Sequence, residues 1–219
     1  MTADQATADL GGYHDLVRRD VFGLVPERAG RLLDLGGGVG ATALALKQAG
    51  RAERAVVADL VADTALAGLD AAYGGDLENP EFLQRIIAEQ GPFDTVLCLD
   101  VLEHLSDPWS VVATLAGGLA PGGAIVASLP NASNIRLVWP LVVHGRFDLT
   151  EAGICDRTHL RWFVRQTAVD LLTGPGLRLE AVEGKLLAGR RYRLTNAATF
   201  GLLRRFFEIQ YLIRVRAPE

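Results

Sequence analysis

Four acids follow apolar runs in this chain: Asp34, Asp59, Asp76 and Asp100. Directly after Asp34 comes a turn with glycine at 36, 37, 38 and 40. Glycine lets a backbone approach a ligand closely and adopt positive φ, so Gly36, Gly38 and Gly40 read as a ligand cradle. Two ligands compete for it. The spacing Gly36-x-Gly38-x-x-Ala41, with Asp59 about twenty residues on, fits a dinucleotide fingerprint. Asp34 argues against that fit, because a carboxylate beside the turn repels a pyrophosphate and suits an ammonium. S-adenosyl-L-methionine carries an ammonium, a sulfonium and a ribose diol, and no phosphate. On this reading Asp34 meets the amino-acid end of the ligand, directly or through water. Asp59 takes both ribose hydroxyls, Asp76 accepts from the adenine amine, and Asp100 completes the set, with Leu60, Leu77 and Val101 beside them. The plainer reading makes the acids helix caps and loop residues.

Histidine is the side chain suited to removing a proton near neutral pH. His104 follows the fourth acid-tipped run, and His159 lies in "CDRTHLRWF". Either can serve as general base, and each has a structural alternative. His104 can shape the ligand pocket, and His159 can order a loop with Asp156. His144 and His14 are less well placed. Glu103 is expected to face solvent or brace a neighbour. Arg157, Arg161 and Arg165 can grip an acceptor, though salt bridges to Asp148, Glu151 and Asp156 are the simpler expectation. Trp139, Phe147, Trp162 and Phe163 can stack on a ring or fill a small core. No His, Cys and Asp cluster has metal-type linear spacing, so no metal is expected.

The elements that must position these groups alternate. Apolar strands are expected at 31–35, 54–58, 71–75, 93–99 and 124–129, with helices at 41–49, 80–90 and from Asp107-Pro108 to Pro121. A short helix is expected after the second strand. Near-continuous apolar strands between helices mark a parallel sheet covered on both faces. Ligands bind such sheets at the carboxyl ends of the strands, where all four acids fall. From 131 to 165 periodicity fades into a cap insertion. A helix near 165–173, strands at 177–183 and 207–216, and a helix at 196–206 complete the pattern. An N-terminal helix over 10–25 is expected to cover the sheet, carrying Tyr13 and His14, with Arg18 or Arg19 reaching the ligand carboxylate.

The 219 residues suit one domain, 1–219, with a sizeable core. The net charge of −4 gives no electrostatic case for nucleic acid. From Gly176 onward, however, nine Lys and Arg stand against four Asp and Glu. Leu202, Leu203, Phe206 and Phe207 flank Arg204 and Arg205 there. They suit a membrane contact, a dimer surface or burial between the last two strands, and burial is the expectation. Cys98 and Cys155 read as free thiols of a reducing compartment. With no signal-like N-terminus and no integral membrane segment, a cytoplasmic protein is expected. A small-molecule acceptor is the expected partner, with a homodimer compatible.

The successive stretches "LLDLGGGVG", "VVADL", "GGDLENPE", "FDTVLCLDVLEHLSDPW" and "LAPGGAIVASLPN" resemble the motifs of class I S-adenosylmethionine-dependent methyltransferases. The likeness covers roughly residues 13–183, with Gly37 standing where many members have Cys. It implies a Rossmann-like, doubly wound, seven-stranded α/β sheet, mostly parallel with an antiparallel last strand. It also implies S-adenosyl-L-methionine as cofactor. The segment 143–162 resembles a subgroup associated with glycan modification. The expected activity is O-methylation of a small hydroxylated acceptor such as a sugar or glycan precursor. The alternatives are an NAD(P)-dependent oxidoreductase and a non-catalytic binding module of the same fold.

Overall fold

The structure, a computed structural model, describes residues 17–61, 65–187 and 189–219. The apolar runs form β1 (Gly30–Leu35), β2 (Ala52–Asp59), β3 (Ala71–Gly74), β4 (Phe93–Leu99) and β5 (Leu119–Pro130). Two further strands are β6 (Arg178–Leu186) and β7 (Glu208–Arg216). The helices are α1 (Ala41–Gln48), α2 (Pro80–Gln90), α3 (Pro108–Gly117), α4 (Ile135–His144), α5 (Arg165–Thr173), α6 (Arg190–Ala198) and α7 (Arg204–Phe207). Helices α2 and α3 start alike, with proline in the first turn behind a capping side chain. Asn79 accepts from Glu81 N at 3.0 Å, and Asp107 accepts from Ser110 N at 3.2 Å.

One seven-stranded sheet runs in the order β3-β2-β1-β4-β5-β7-β6. The first five pair in parallel, so their carboxyl ends share one edge. Strand β7 is antiparallel to both β5 and β6, as the motif likeness implied, which leaves β6 parallel to β1–β5. Period-2 alternation sends Leu33, Leu35, Val96 and Cys98 to a core beneath α2, α3 and α5. Leu32, Leu97 and Val126 pack on the opposite face with Ala43 and Leu46 of α1. Asp34 shares the face of Leu32 and therefore points toward α1.

Several expected elements differ. Tyr13, His14 and most of the helix expected over 10–25 lie outside the described residues. Inside them the segment makes only a 3₁₀ turn, Arg19–Val21. The short helix expected after β2 falls largely on 62–64, also outside. Strand β5 begins at Leu119, earlier than expected, because the chain before Pro121 already pairs with Phe93. Helix α4 was not expected. It buries only Leu137, half-buries Ile135 and Val138, holds Pro140 in its interior and exposes Trp139, Leu141, Val142 and Val143, so little of its length faces a core. The single helix expected at 196–206 is two helices, α6 and α7.

Candidate active site

The turn after β1 depends on glycine for space. Gly36 has φ +69°, and a Cβ there would overlap Val101. Gly38 and Gly40 also take positive φ, at 57° and 82°. A Cβ on Gly37 would lie 2.5 Å from the Asp34 carboxyl carbon. Asp34 thus sits directly beneath the turn, 1% exposed, with neither carboxylate oxygen in a hydrogen bond. Burial pushes its pKa up to about 7. The Ala43 amide, outside hydrogen-bond geometry, offsets part of that, and the Asp59 carboxylate adds to it. An unpartnered buried carboxylate below a bare backbone turn is a cradle for a cation.

The other acids take distinct places around the edge. Asp59 clamps the turn: Oδ2 accepts from Gly38 N at 2.8 Å and Oδ1 from Val61 N at 3.0 Å. Leu60 beside it is 73% exposed. Asp76 is exposed and accepts from Glu78 N at 2.9 Å. Leu77 and Val101 are buried in the core, where Val101 backs Gly36. Asp100 sits in the left-handed region with φ 54°, a conformation Asp tolerates better than most residues. It accepts from Ser128 Oγ at 2.9 Å and from the side chains of Arg18 and Gln210. Arg18 was expected to reach a ligand carboxylate. Its guanidinium bonds Asp100, Asp20 and Gln210.

Beyond β4, a 3₁₀ turn (Leu102–His104) meets the cap segment. The Glu103 carbonyl accepts from Leu160 N at 2.8 Å and Arg161 N at 3.0 Å. Ala132 N donates to Phe163 O at 2.8 Å, so the segment is sewn along the carboxyl edge. This brings His104 and His159 together, their ring centroids 4.8 Å apart. Glu103 does not face solvent as expected. It is 1% exposed, its carboxyl oxygens make no hydrogen bond, and Oε1 lies 4.0 Å from His159 Nε2. Burial holds its pKa well above the usual carboxylate range, and the nearby Asp100 carboxylate adds to this.

The hydrogen bonds fix the imidazole tautomers. Thr158 Oγ1 donates to Asp156 Oδ1 at 2.7 Å, so it can only accept from His104 Nδ1, at 3.0 Å. The Thr158 carbonyl, 3.3 Å away, also accepts. His104 Nδ1 therefore carries the proton and Nε2 carries the lone pair. Among the described residues, that Nε2 makes no hydrogen bond. His159 donates Nδ1–H to Ile154 O at 3.2 Å. Burial, with His104 nearby, lowers its pKa, so it is a neutral, enclosed ring. Glu103, His104 and His159 each present one ligand atom within 4.8 Å of the others, a set able to hold a cation. Linear spacing concealed it, since only the fold brings residue 159 to residues 103 and 104.

In the rest of the cap, Arg157 pairs with Glu151 at 2.5 Å and Arg146 with Asp148 at 2.9 Å. Arg161 bonds the Ser106 carbonyl and lies over Trp109. Phe147 and Trp162 make an edge-to-face pair at 5.5 Å, both partly open to solvent, and Phe163 is core. Trp139 and His144 are exposed on α4. Sequence reasoning missed the buried Glu103 and the Thr158–Asp156 support. The "DRTHLR" stretch named the right segment but not the bonding within it.

A doubly wound sheet with a glycine turn over a buried acid and a row of acids at its carboxyl edge defines a nucleoside-binding α/β enzyme. Residues 12–182 match the family model described as a methyltransferase domain, and the chain belongs to that family, as a class I S-adenosylmethionine-dependent methyltransferase. It is 37% identical over 116 residues to a ubiquinone biosynthesis O-methyltransferase of Paracidovorax citrulli, covering 51% of this chain and 48% of that one. It is 35% identical over 130 residues to a tRNA 5-carboxymethoxyuridine methyltransferase of Escherichia coli, covering 57% and 48%. The chain thus spans about half the length of these curated relatives. A SAM-dependent methyltransferase from Archaeoglobus fulgidus shares the fold with a TM-score of 0.62 at 16% identity, covering 98% of this chain and 94% of that one.

Proposed function

We propose that the crevice binds S-adenosyl-L-methionine and that the chain methylates a hydroxyl oxygen of a small acceptor, with His104 as general base. When bound, the cofactor supplies a methyl carbon on a sulfonium, open to in-line attack. The backbone of Gly36 to Gly40 cradles the amino-acid end, and Asp34 below it favours an ammonium. Asp59 exchanges its turn contacts for the ribose diol, Leu60 covers a flat face of the base, and Asp76 accepts from the purine amine. Asp100 holds the end of β4 in place through Arg18, Ser128 and Gln210.

The observation that carries the base assignment is the His104 tautomer. Its Nδ1–H is fixed on Thr158, and its Nε2 lone pair is left for an acceptor hydroxyl at the end of β4. The imidazolium formed by proton abstraction is stabilised through Thr158 to Asp156. His159, enclosed and neutral, positions His104 by edge contact. The O-methyltransferase relatives support an oxygen nucleophile. The Phe147–Trp162 pair supports an acceptor with a flat ring or a sugar face. A tRNA-directed relative keeps an RNA nucleoside in the test panel. Labelled methyl transfer to sugars, phenols and tRNA identifies the acceptor. Calorimetry with S-adenosylhomocysteine and with NAD tests the cofactor, and tight NAD binding without a response to S-adenosylhomocysteine would overturn the assignment.

A further inference from the structure

The insertion between β6 and β7 supplies none of the residues assigned above to the cofactor or the base. Of its large apolar residues expected to be buried, only Phe207 is; the reason is that α7 is four residues long and turns one side inward. Phe200 is 94% exposed and Leu202 81%, and Leu194 and Leu203 are exposed as well. A cluster of this kind on one insertion marks an interaction surface rather than scattered exposure. Its charge is equally biased. Residues 184–207 include six Lys and Arg and no Asp or Glu, in a chain of net charge −4. Arg204 and Arg205 are exposed beside Leu202 and Leu203; Arg204 Nε pairs with Glu208 Oε1 at 2.7 Å, and Arg205 makes no ion pair among the described residues.

Position adds to this. Strand β6 is parallel to β1–β5, so the insertion springs from the same edge of the sheet as the crevice. The side chains of Asn131 and Asn134 pin its base to the start of α4. Asn131 donates to the carbonyls of Arg205 at 2.7 Å and Glu208 at 2.8 Å, and Asn134 to that of Glu208 at 2.8 Å. Helix α4 in turn exposes Trp139, Val142 and Val143. Two apolar ridges therefore rise from one edge.

We propose that this edge docks on an anionic lipid bilayer, with Phe200 and Leu202 at the boundary of headgroups and acyl chains and with Arg204 and Arg205 against lipid phosphates. Apolar tips collared by arginine match both layers of such a surface. A two-fold contact with a second copy would bring two patches of like positive charge into one interface. A single-stranded RNA would stack successive bases on several aromatic rings, and among the described exposed apolar residues of the insertion Phe200 alone is aromatic, beside Leu194, Leu202 and Leu203. The contact is peripheral, since no helix among the described residues is long and apolar enough to cross a membrane.

The test is co-sedimentation of the full chain with phosphatidylcholine vesicles, with and without phosphatidylglycerol, at low and high salt. The expected result is binding to the anionic vesicles only, reversed by salt. Phe200→Asp with Leu202→Asp should weaken it at least about tenfold with an unchanged melting transition. Arg204→Ala with Arg205→Ala should weaken it at least about fivefold, which keeps the test decisive if the first pair fails to fold. Absent or equal binding to the two vesicle types would overturn the proposal. So would binding of tRNA in preference to vesicles, or a dimer in light scattering that the Asp pair disperses.

Discussion

Replacing Gly36 by alanine probes the turn most directly. Two costs are legible in the structure. At φ +69° an L-residue is in the left-handed region, which costs about 1–2 kcal/mol. The added methyl overlaps the γ-methyl of Val101 and lies 2.7 Å from its Cβ, and overpacking of this kind costs about 1–3 kcal/mol. Gly36→Ala should thus lose about 2–5 kcal/mol in urea unfolding, a large part of a typical domain's stability. The two costs separate in a double-mutant cycle. Val101→Ala removes the γ-methyl that the new Cβ would overlap but keeps the Val101 Cβ 2.7 Å from it, while φ stays as it was. The pair should therefore show a favourable coupling of about 1 kcal/mol, leaving the backbone cost and the Cβ contact behind. S-adenosylhomocysteine affinity, measured by calorimetry, should fall in the single variant and recover partly in the pair. A loss under about 0.5 kcal/mol for Gly36→Ala, the range of ordinary surface changes, would refute this account of the turn. So would zero coupling with Val101→Ala.

Other outcomes follow from the same edge. Asp34 titrates at about 7 in the folded chain and near 3.8 when unfolded, so the folded state holds the extra proton between those values. Stability should fall as pH rises through that window, by up to ~4 kcal/mol, and Asp34→Asn should flatten the slope in pH-dependent denaturation. An ammonium above Asp34 favours the carboxylate, so S-adenosylhomocysteine affinity should rise through the same window in the parent chain and not in Asp34→Asn. His104→Ala should lower turnover ~10²–10⁴-fold with cofactor affinity nearly unchanged, whereas His159→Ala should lower the melting temperature; equal turnover loss without destabilisation would move the base to His159. Thr158→Val should shift the pH–rate profile by loosening the His104 tautomer, a readout that simple packing damage leaves in place. Arg18→Met leaves Asp100 with two neutral donors and should cost about 2 kcal/mol in thermal unfolding.

Strands β1, β2 and β4 were legible because each is an apolar run with an acid at or beside its end, and a buried parallel strand has little other way to be written. The starts of α2 and α3 were legible for a chemical reason, a polar cap followed by proline. Helix α4 was not, since a helix that buries only Leu137 gives the reader no periodic face. The acids were found as a set, but their roles were not. Whether Asp34 opens onto the crevice or lies beneath it depends on the pleat. Whether Arg18 turns to a ligand or to Asp100 depends on a partner 82 residues away. Glu103 misled because charge suggests solvent, whereas here two backbone amides from the cap hold its peptide in place and bury its side chain. The exposed Leu202 and Leu203 misled in the opposite direction, since apolar residues between two strands suggest a core.

Strand β7 lies between β5 and β6, not at the rim. Nearly eighty residues separate the end of β5 from its start, so the ring closed by that pairing is among the widest in the fold, whereas β6 meets β7 across a far shorter gap. Closure entropy favours the shorter ring by about 1 kcal/mol, so β6 and β7 should pair before β5 joins them. That makes the hairpin and its insertion a cassette. Its tip can vary in length and charge while β1 to β4, which carry the glycine turn and the acids, keep their register. A chimera that exchanged the insertion with that of another methyltransferase would transplant the surface the molecule presents without altering the pocket it works in.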